Sequence, residues 1–198
     1  MNQRISALIV FNLIFCLVLI NQALAAHPYH FDAKSSAIHG AIRYTVIGQY
    51  KADFQDFEGS LLFDPQKGMI SSVALNINTV SVKSRYPKLD RIVRSRYLLD
   101  VAEYPDITFK SKDIIKKNNA YLAKGLLKIH GVEQEISFPF DATVPLKDDQ
   151  GKDVIRAQGT WIMNRKDFKI IWNKILDHGG IIVSEHITIN WEVLAFAN

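Results

Sequence analysis

The chain has only one cysteine, Cys16. No intrachain disulfide can form, so an apolar core must supply the stability. A formal net charge of +4 is small for 198 residues. Together with the lack of any nucleic-acid reading motif, it argues against DNA or RNA as a partner. The chain also lacks a Gly-x-Ser-x-Gly elbow, a phosphate-binding glycine loop and a His-Glu-x-x-His helix. These absences remove the usual signatures of α/β-hydrolases, nucleotide enzymes and zinc proteases.

Other chemistry-bearing residues are present but scattered. His27 and His30 read as part of a polar N-terminal lead, where a metal site is the minor alternative to simple disorder. His130 beside Gly131 and His178 before Gly179-Gly180 read as turn residues, and His186 falls on the polar face of a strand. With no paired histidines at ligand spacing, no metal is expected. Asp53, Asp56 and Glu58, and likewise Asp148, Asp149 and Asp153, read as solvated surface charge, with no carboxylate pair marked out for glycoside chemistry. In Asn164-Arg165-Lys166-Asp167-Phe168, an Arg-Asp pair at the end of a strand is read as a brace at a barrel rim, with a catalytic role as the minor alternative.

The first 25 residues read as a cleaved secretory signal peptide. Arg4 gives a positive n-region, an almost wholly apolar run follows, and Ala23-Leu24-Ala25 offers a small-residue cleavage site before Ala26. Cys16 lies inside that run and Phe15 precedes it, which does not suit a lipoprotein attachment site. The expected organisation is a signal peptide over 1–25 and a single domain over 26–198. The expected compartment is periplasmic.

Alternating apolar and polar residues dominate the rest. In Ile187-Thr188-Ile189-Asn190-Trp191-Glu192-Val193 the apolar residues share one face of a strand and the polar ones the other. Ile42, Tyr44 and Val46, then Gly59, Leu61 and Phe63, then Val73, Leu75 and Ile77 repeat the pattern. Further strands are expected at 107–109, 121–129, 136–140, 155–163 and 182–195. Asn118-Asn119 and His130-Gly131 read as hairpin connections. Only 87–99 shows helical spacing, through Leu89, Ile92, Val93 and Tyr97. About eight strands, one short helix and no strand–helix alternation predict an all-β fold, a closed or nearly closed antiparallel barrel. A barrel of that size either fills its interior or admits one small ligand, and alternation leaves both open. The basic cluster of Lys83, Arg85, Lys88, Arg91, Arg94 and Arg96 is read as a solvated helical face or as a contact for anionic membrane headgroups.

Three segments carry a resemblance. Leu98-Leu99-Asp100-Val101-Ala102-Glu103-Tyr104-Pro105-Asp106-Ile107-Thr108-Phe109-Lys110-Ser111 resembles the most recognisable segment of the YceI-like family. Gly125-Leu126-Leu127-Lys128-Ile129-His130-Gly131-Val132 resembles its next signature, and Asn164-Arg165-Lys166-Asp167-Phe168 another. Phe54, Phe57-Glu58-Gly59 and Phe63-Asp64-Pro65 fit its early strands, and the similarity runs in order over about 29–195. The resemblance implies a lipocalin-like β-barrel, usually exported, around an apolar tunnel that holds polyisoprenoid lipids or isoprenoid quinones. It brings no catalytic residue and no cofactor apart from the bound lipid. Lys34-Ser35-Ser36, Gly40 and Tyr44 depart from the family's common residues near the first strands.

The leading expectation is therefore an exported, non-enzymatic carrier of a long isoprenoid lipid. Its lining candidates, taken from alternation, are Phe57, Leu75, Ile77, Phe109, Leu127, Phe138, Trp161, Ile189 and Trp191. The helix is expected to cover one opening. Transient membrane-surface contact and a homodimer through exposed strand faces are the accompanying partner expectations. The alternatives are a filled-core binding or adhesion module, and an enzyme on a lipid-like substrate using His130 or His178 with a nearby carboxylate.

Overall fold

The computed structural model describes residues 26–44, 48–118, 120–172 and 183–197. The expected signal peptide with Cys16, and Val46, Asn119, His178, Gly179, Gly180 and Ile182, lie outside the described residues.

Among the described residues, twelve strands and one α-helix follow in order. They are β1 (His27–Phe31), β2 (Ala37–Tyr44), β3 (Gly48–Phe54), β4 (Phe57–Asp64), β5 (Met69–Asn78), β6 (Val82–Lys83), α1 (Pro87–Arg94), β7 (Asp106–Lys117), β8 (Ala120–Ile129), β9 (Val132–Ala142), β10 (Leu146–Lys147), β11 (Asp153–Asn164) and β12 (Val183–Ala197). Eight of them form a ring in the order β11, β9, β8, β7, β5, β4, β1, β12, closed by an antiparallel β11–β12 ladder from Val154↔Phe196 to Asn164↔His186. Closure reduces the sheet edges that would otherwise offer unpaired backbone groups, although the β9–β11 seam pairs only Ala142↔Ala157 and Asp141↔Gln158. The expected all-β barrel with one short helix is what forms.

β12 is long enough to serve two neighbours on its other edge. Ala195–Ala197 pairs with β1, while Val183 to Glu192 pairs with β2. From β2 the sheet continues through β3 to β6, extending one end of the barrel. This places β2, β3, β6 and α1 together at that end.

Local chemistry accounts for the main departures from the expected elements. β1 is a paired strand, so His27 and His30 lie in the barrel wall and not in a loose lead. β3 had not been anticipated; its Tyr50 and Ala52 are buried while Gln49, Lys51 and Asp53 point out. In β7 a bulge between Ser111 and Asp113 resets the alternation, so Ile114 is buried and Ile115 exposed. The helix ends at Arg94 and not at Leu99. The Ser95 hydroxyl bonds the Ile92 carbonyl, and its backbone N–H takes the same acceptor, which diverts the chain from the helical ladder. The His130-Gly131 connection behaves as read: both residues have positive φ, 50° and 72°, as a two-residue hairpin turn between β8 and β9 requires.

Candidate ligand-binding cavity

The interior-facing residues are not equally buried. Along β12, Val193 and Ala195 are 4% and 0% exposed, yet Ile187, Ile189 and Trp191, on the same face, remain half-buried. On β9, Phe140 is buried while Ile136 and Phe138 are not. On β5, Ile70 and Ile77 are buried while Val73 and Leu75 between them are not. A side chain that points inward in a close-packed core loses nearly all its exposure. These keep theirs because the middle of the barrel is hollow.

The hollow is a cavity of about 250 Å³. Eight of the nine lining candidates border it: Leu75, Ile77, Phe109, Leu127, Phe138, Trp161, Ile189 and Trp191. Phe57 does not. It occupies the first position of β4 opposite Ile77, where it is packed into solid core at the strand's end. Residues not anticipated as lining include Phe31 from β1, Tyr50, Ala52 and Phe54 from β3, and Val93, Leu98 and Leu99 from α1 and the turn after it. The alternation of Tyr50, Ala52 and Phe54 was a legible signal for that part of the wall. Gly40 also borders the cavity, so one of the family departures falls on its wall. Ser36, from another, accepts a hydrogen bond from the Leu194 N–H and ties the β1–β2 connection to β12.

Aromatic rings form one side of the wall. Phe138 is their hub, with centroids 5.2 Å from Phe109 and 6.2 Å from both Trp161 and Trp191. Two glycines let the rings lie flat against neighbouring strands. A Cβ at Gly159 would come within 2.7 Å of the Trp191 ring, and one at Gly125 within 2.8 Å of the Phe109 ring and 2.4 Å of the Lys110 carbonyl. Substitution at either would push its ring inward and narrow the hollow.

Among the described residues, two that line the cavity carry strongly polar groups, Tyr50 and Arg165, and the structure directs both to protein partners. The Tyr50 hydroxyl donates to Asp90 at 2.8 Å. Burial first, and this bond second, push the Tyr50 hydroxyl well above the ordinary tyrosine range. The Arg165 side chain is fully buried and donates to the carbonyls of Ser184 at 2.9 Å, Ile170 at 2.5 Å and Val183 at 3.3 Å. Burial pulls its guanidinium down from the ordinary arginine range, against the opposing charge of Glu185. The expected brace at the rim therefore runs through backbone carbonyls of β12 and the Ile170 turn, while Asp167 is exposed. The cavity wall itself offers an apolar surface.

Helix α1 is fixed over the β3–β6 end by a small polar lock. Asp90, 4% exposed, accepts from Tyr50, from the Ser84 hydroxyl at 2.5 Å and from the Ser84 N–H at 3.0 Å. Burial alone would raise its pKa. The Ser84 and Tyr50 hydrogen bonds and the Arg94 charge outweigh that, and the carboxyl titrates below the usual range. Arg94 also donates to the Val82 carbonyl. This lock holds Val93 against the cavity, with Leu98 and Leu99 beside it.

Of the two histidines of the enzyme alternative, His178 lies outside the described residues. His130 packs edge-on against Tyr104 at 4.7 Å, and among the described residues no carboxylate forms an ion pair with it. Among the described residues no cluster of three or more His, Cys, Asp or Glu side chains is arranged to hold a metal.

Comparison with known proteins agrees with this architecture. The family model of the YceI-like domain matches residues 29–195. A UPF0312 protein of Vibrio cholerae is 31% identical over 153 residues, covering 75% of this chain and 80% of its own. The crystal structure of a Campylobacter jejuni YceI protein superposes with a TM-score of 0.68 at 25% identity, over 79% of this chain and 90% of that one. A polyisoprenoid binding domain from Saccharophagus degradans shares the fold, with a TM-score of 0.62 at 14% identity over 86% and 98% of the two chains.

Proposed function

The chain belongs to the YceI-like domain family, and from that premise and its apolar cavity we propose that it is an exported carrier of a long-chain isoprenoid lipid, a polyisoprenoid or an isoprenoid quinone. The observation that carries the reading is the hollow between Ile187 and Trp191, a cavity of about 250 Å³ whose wall presents apolar side chains and aromatic rings. An engineered apolar cavity of about 150 Å³ takes one benzene, so this one seats on the order of ten carbons, about two isoprene units of a chain. Each buried CH₂ contributes about 0.8 kcal/mol, so such a chain binds tightly without polar contacts.

Other features support parts of the reading. The binding named for the Saccharophagus degradans domain is to a polyisoprenoid, on the same fold. The leader pattern over 1–25 supports export, with the periplasm as the compartment. A carrier needs no catalytic group and no cofactor beyond its bound lipid. The lining reaches Val93, Leu98 and Ile170 at the α1 end, and the reading takes that end as the place where the chain enters.

Trp191 tests occupancy directly. In a variant keeping Trp191 alone, with Trp161→Phe and Trp172→Phe, titration with an isoprenoid quinone is expected to quench fluorescence saturably at one quinone per protein. No quenching at any quinone concentration would return the β12 wall to ordinary core and contradict the proposal.

A further inference from the structure

The α1 end of the barrel differs from the rest of the molecule in charge. Residues 83–97 hold six Lys and Arg against one carboxylate, Asp90, which is buried and engaged by Tyr50 and Ser84. The whole chain carries +4, so outside this stretch its formal charge is close to neutral. Lys83, Arg85, Lys88, Arg91 and Arg96 are exposed, whereas Arg94 is turned inward to the Val82 carbonyl.

Apolar side chains protrude among these cations in a regular relation to the cavity. At each of three points a lining residue has an exposed apolar neighbour in sequence: Val93 beside Ile92, Leu98 beside Tyr97, and Ile170 beside Ile171. Ile92, Tyr97 and Ile171 are 39%, 53% and 71% exposed. Trp172 lies 6.5 Å from Tyr97, and the Arg85 and Arg96 guanidiniums sit over the rings of Tyr86 and Tyr97. The cavity's apolar wall thus continues outward onto a rim of aliphatic and aromatic side chains set in a basic surround. Tyrosine and tryptophan rings suit the headgroup level of a bilayer, and exposed cations suit an anionic surface.

We propose that this end of the barrel is a docking face for anionic phospholipid bilayers, with Lys88 and Arg91 meeting headgroups and Ile92, Tyr97 and Ile171 entering the interface. The purpose assigned to docking, passage of a lipid between bilayer and cavity, rests on the carrier reading; the docking itself is measured with no isoprenoid present. The charge pattern favours a bilayer over an acidic protein because it is interleaved with protruding apolar side chains that adjoin, in sequence, residues lining an apolar cavity.

Co-sedimentation with vesicles of phosphatidylcholine alone and of phosphatidylcholine with phosphatidylglycerol decides it. The protein is expected to sediment with the anionic vesicles, to release as salt rises, and to remain in solution with the neutral ones. Replacing Lys88 and Arg91 together by alanine should weaken the binding roughly 30-fold, at about one kcal/mol for each cation near the surface. Ile92→Ser with Tyr97→Ser should weaken it at unchanged circular dichroism, since both side chains are exposed. No retention on either vesicle, equal retention on both, or retention unchanged in both double variants would overturn the proposal. A protein partner for the basic rim would give the first of these results.

Discussion

Leucine in place of Gly40 is expected to weaken uptake of an isoprenoid chain by about 100-fold or more, while leaving the barrel folded. Gly40 lies on β2 between Ala52 of β3 and Ile189 of β12, and it borders the cavity. Its φ is not positive, so a larger residue can adopt the same backbone. A Cβ there would meet only the Ile189 Cδ1, at 3.9 Å, an ordinary contact. The rest of the leucine side chain would project into the space that the ligand is proposed to fill. Displacing about four carbon-sized groups at about 0.8 kcal/mol each removes roughly 3 kcal/mol of binding. Thermal unfolding should stay close to wild type, because a hollow is being filled and not overpacked. Undiminished uptake by a folded Gly40→Leu protein would show that the ligand lies elsewhere.

The largest effect on stability is expected at Arg165. Alanine there would leave the carbonyls of Ser184, Ile170 and Val183 without the donor that now joins them and would open a void among Met163, Phe168 and Ile170. Buried acceptors left unpaired cost about 1–3 kcal/mol each, although relaxation and water entry at the rim reduce the sum. A net loss of about 4 kcal/mol is expected. That corresponds to a fall in melting temperature of roughly 10 °C for a domain of this size. Lysine should recover little of it, since one ammonium cannot reproduce the planar fork that reaches three carbonyls from two directions. A melting temperature within about 2 °C of wild type for Arg165→Ala would refute the bracing role.

How much of this was legible depends on what alternation can report. In β12 and β9 it is strict, and it correctly gave the inward faces of Ile187, Ile189, Trp191, Phe138 and Phe140. It was weaker where a strand is short or mixed. β1 has five residues, two of them histidines and one a proline, and only Tyr29 is buried. In β3 the signal of Tyr50, Ala52 and Phe54 is diluted by Lys51 and Asp53 beside the acidic cluster that follows. Alternation also says which way a side chain points, not whether it meets another across the barrel. Phe57 and Phe138 both point inward; the first ends in packed core and the second in the wall of a cavity. That difference is set by position along the barrel axis, which emerges only from strand register. The role of Arg165 was half legible. Its place at a strand end suggested a brace, but its partners are backbone carbonyls brought together by the closing of β11 on β12.

The central claim is that the barrel interior holds one long isoprenoid chain. Native mass spectrometry of the protein, purified without added lipid and then incubated with an isoprenoid quinone or alcohol, measures that most directly. The expected spectrum shows one lipid mass per protein, copurified or taken up on addition, and little of it in Gly40→Leu. Repeated spectra of bare protein, before and after addition of isoprenoid, would contradict the claim.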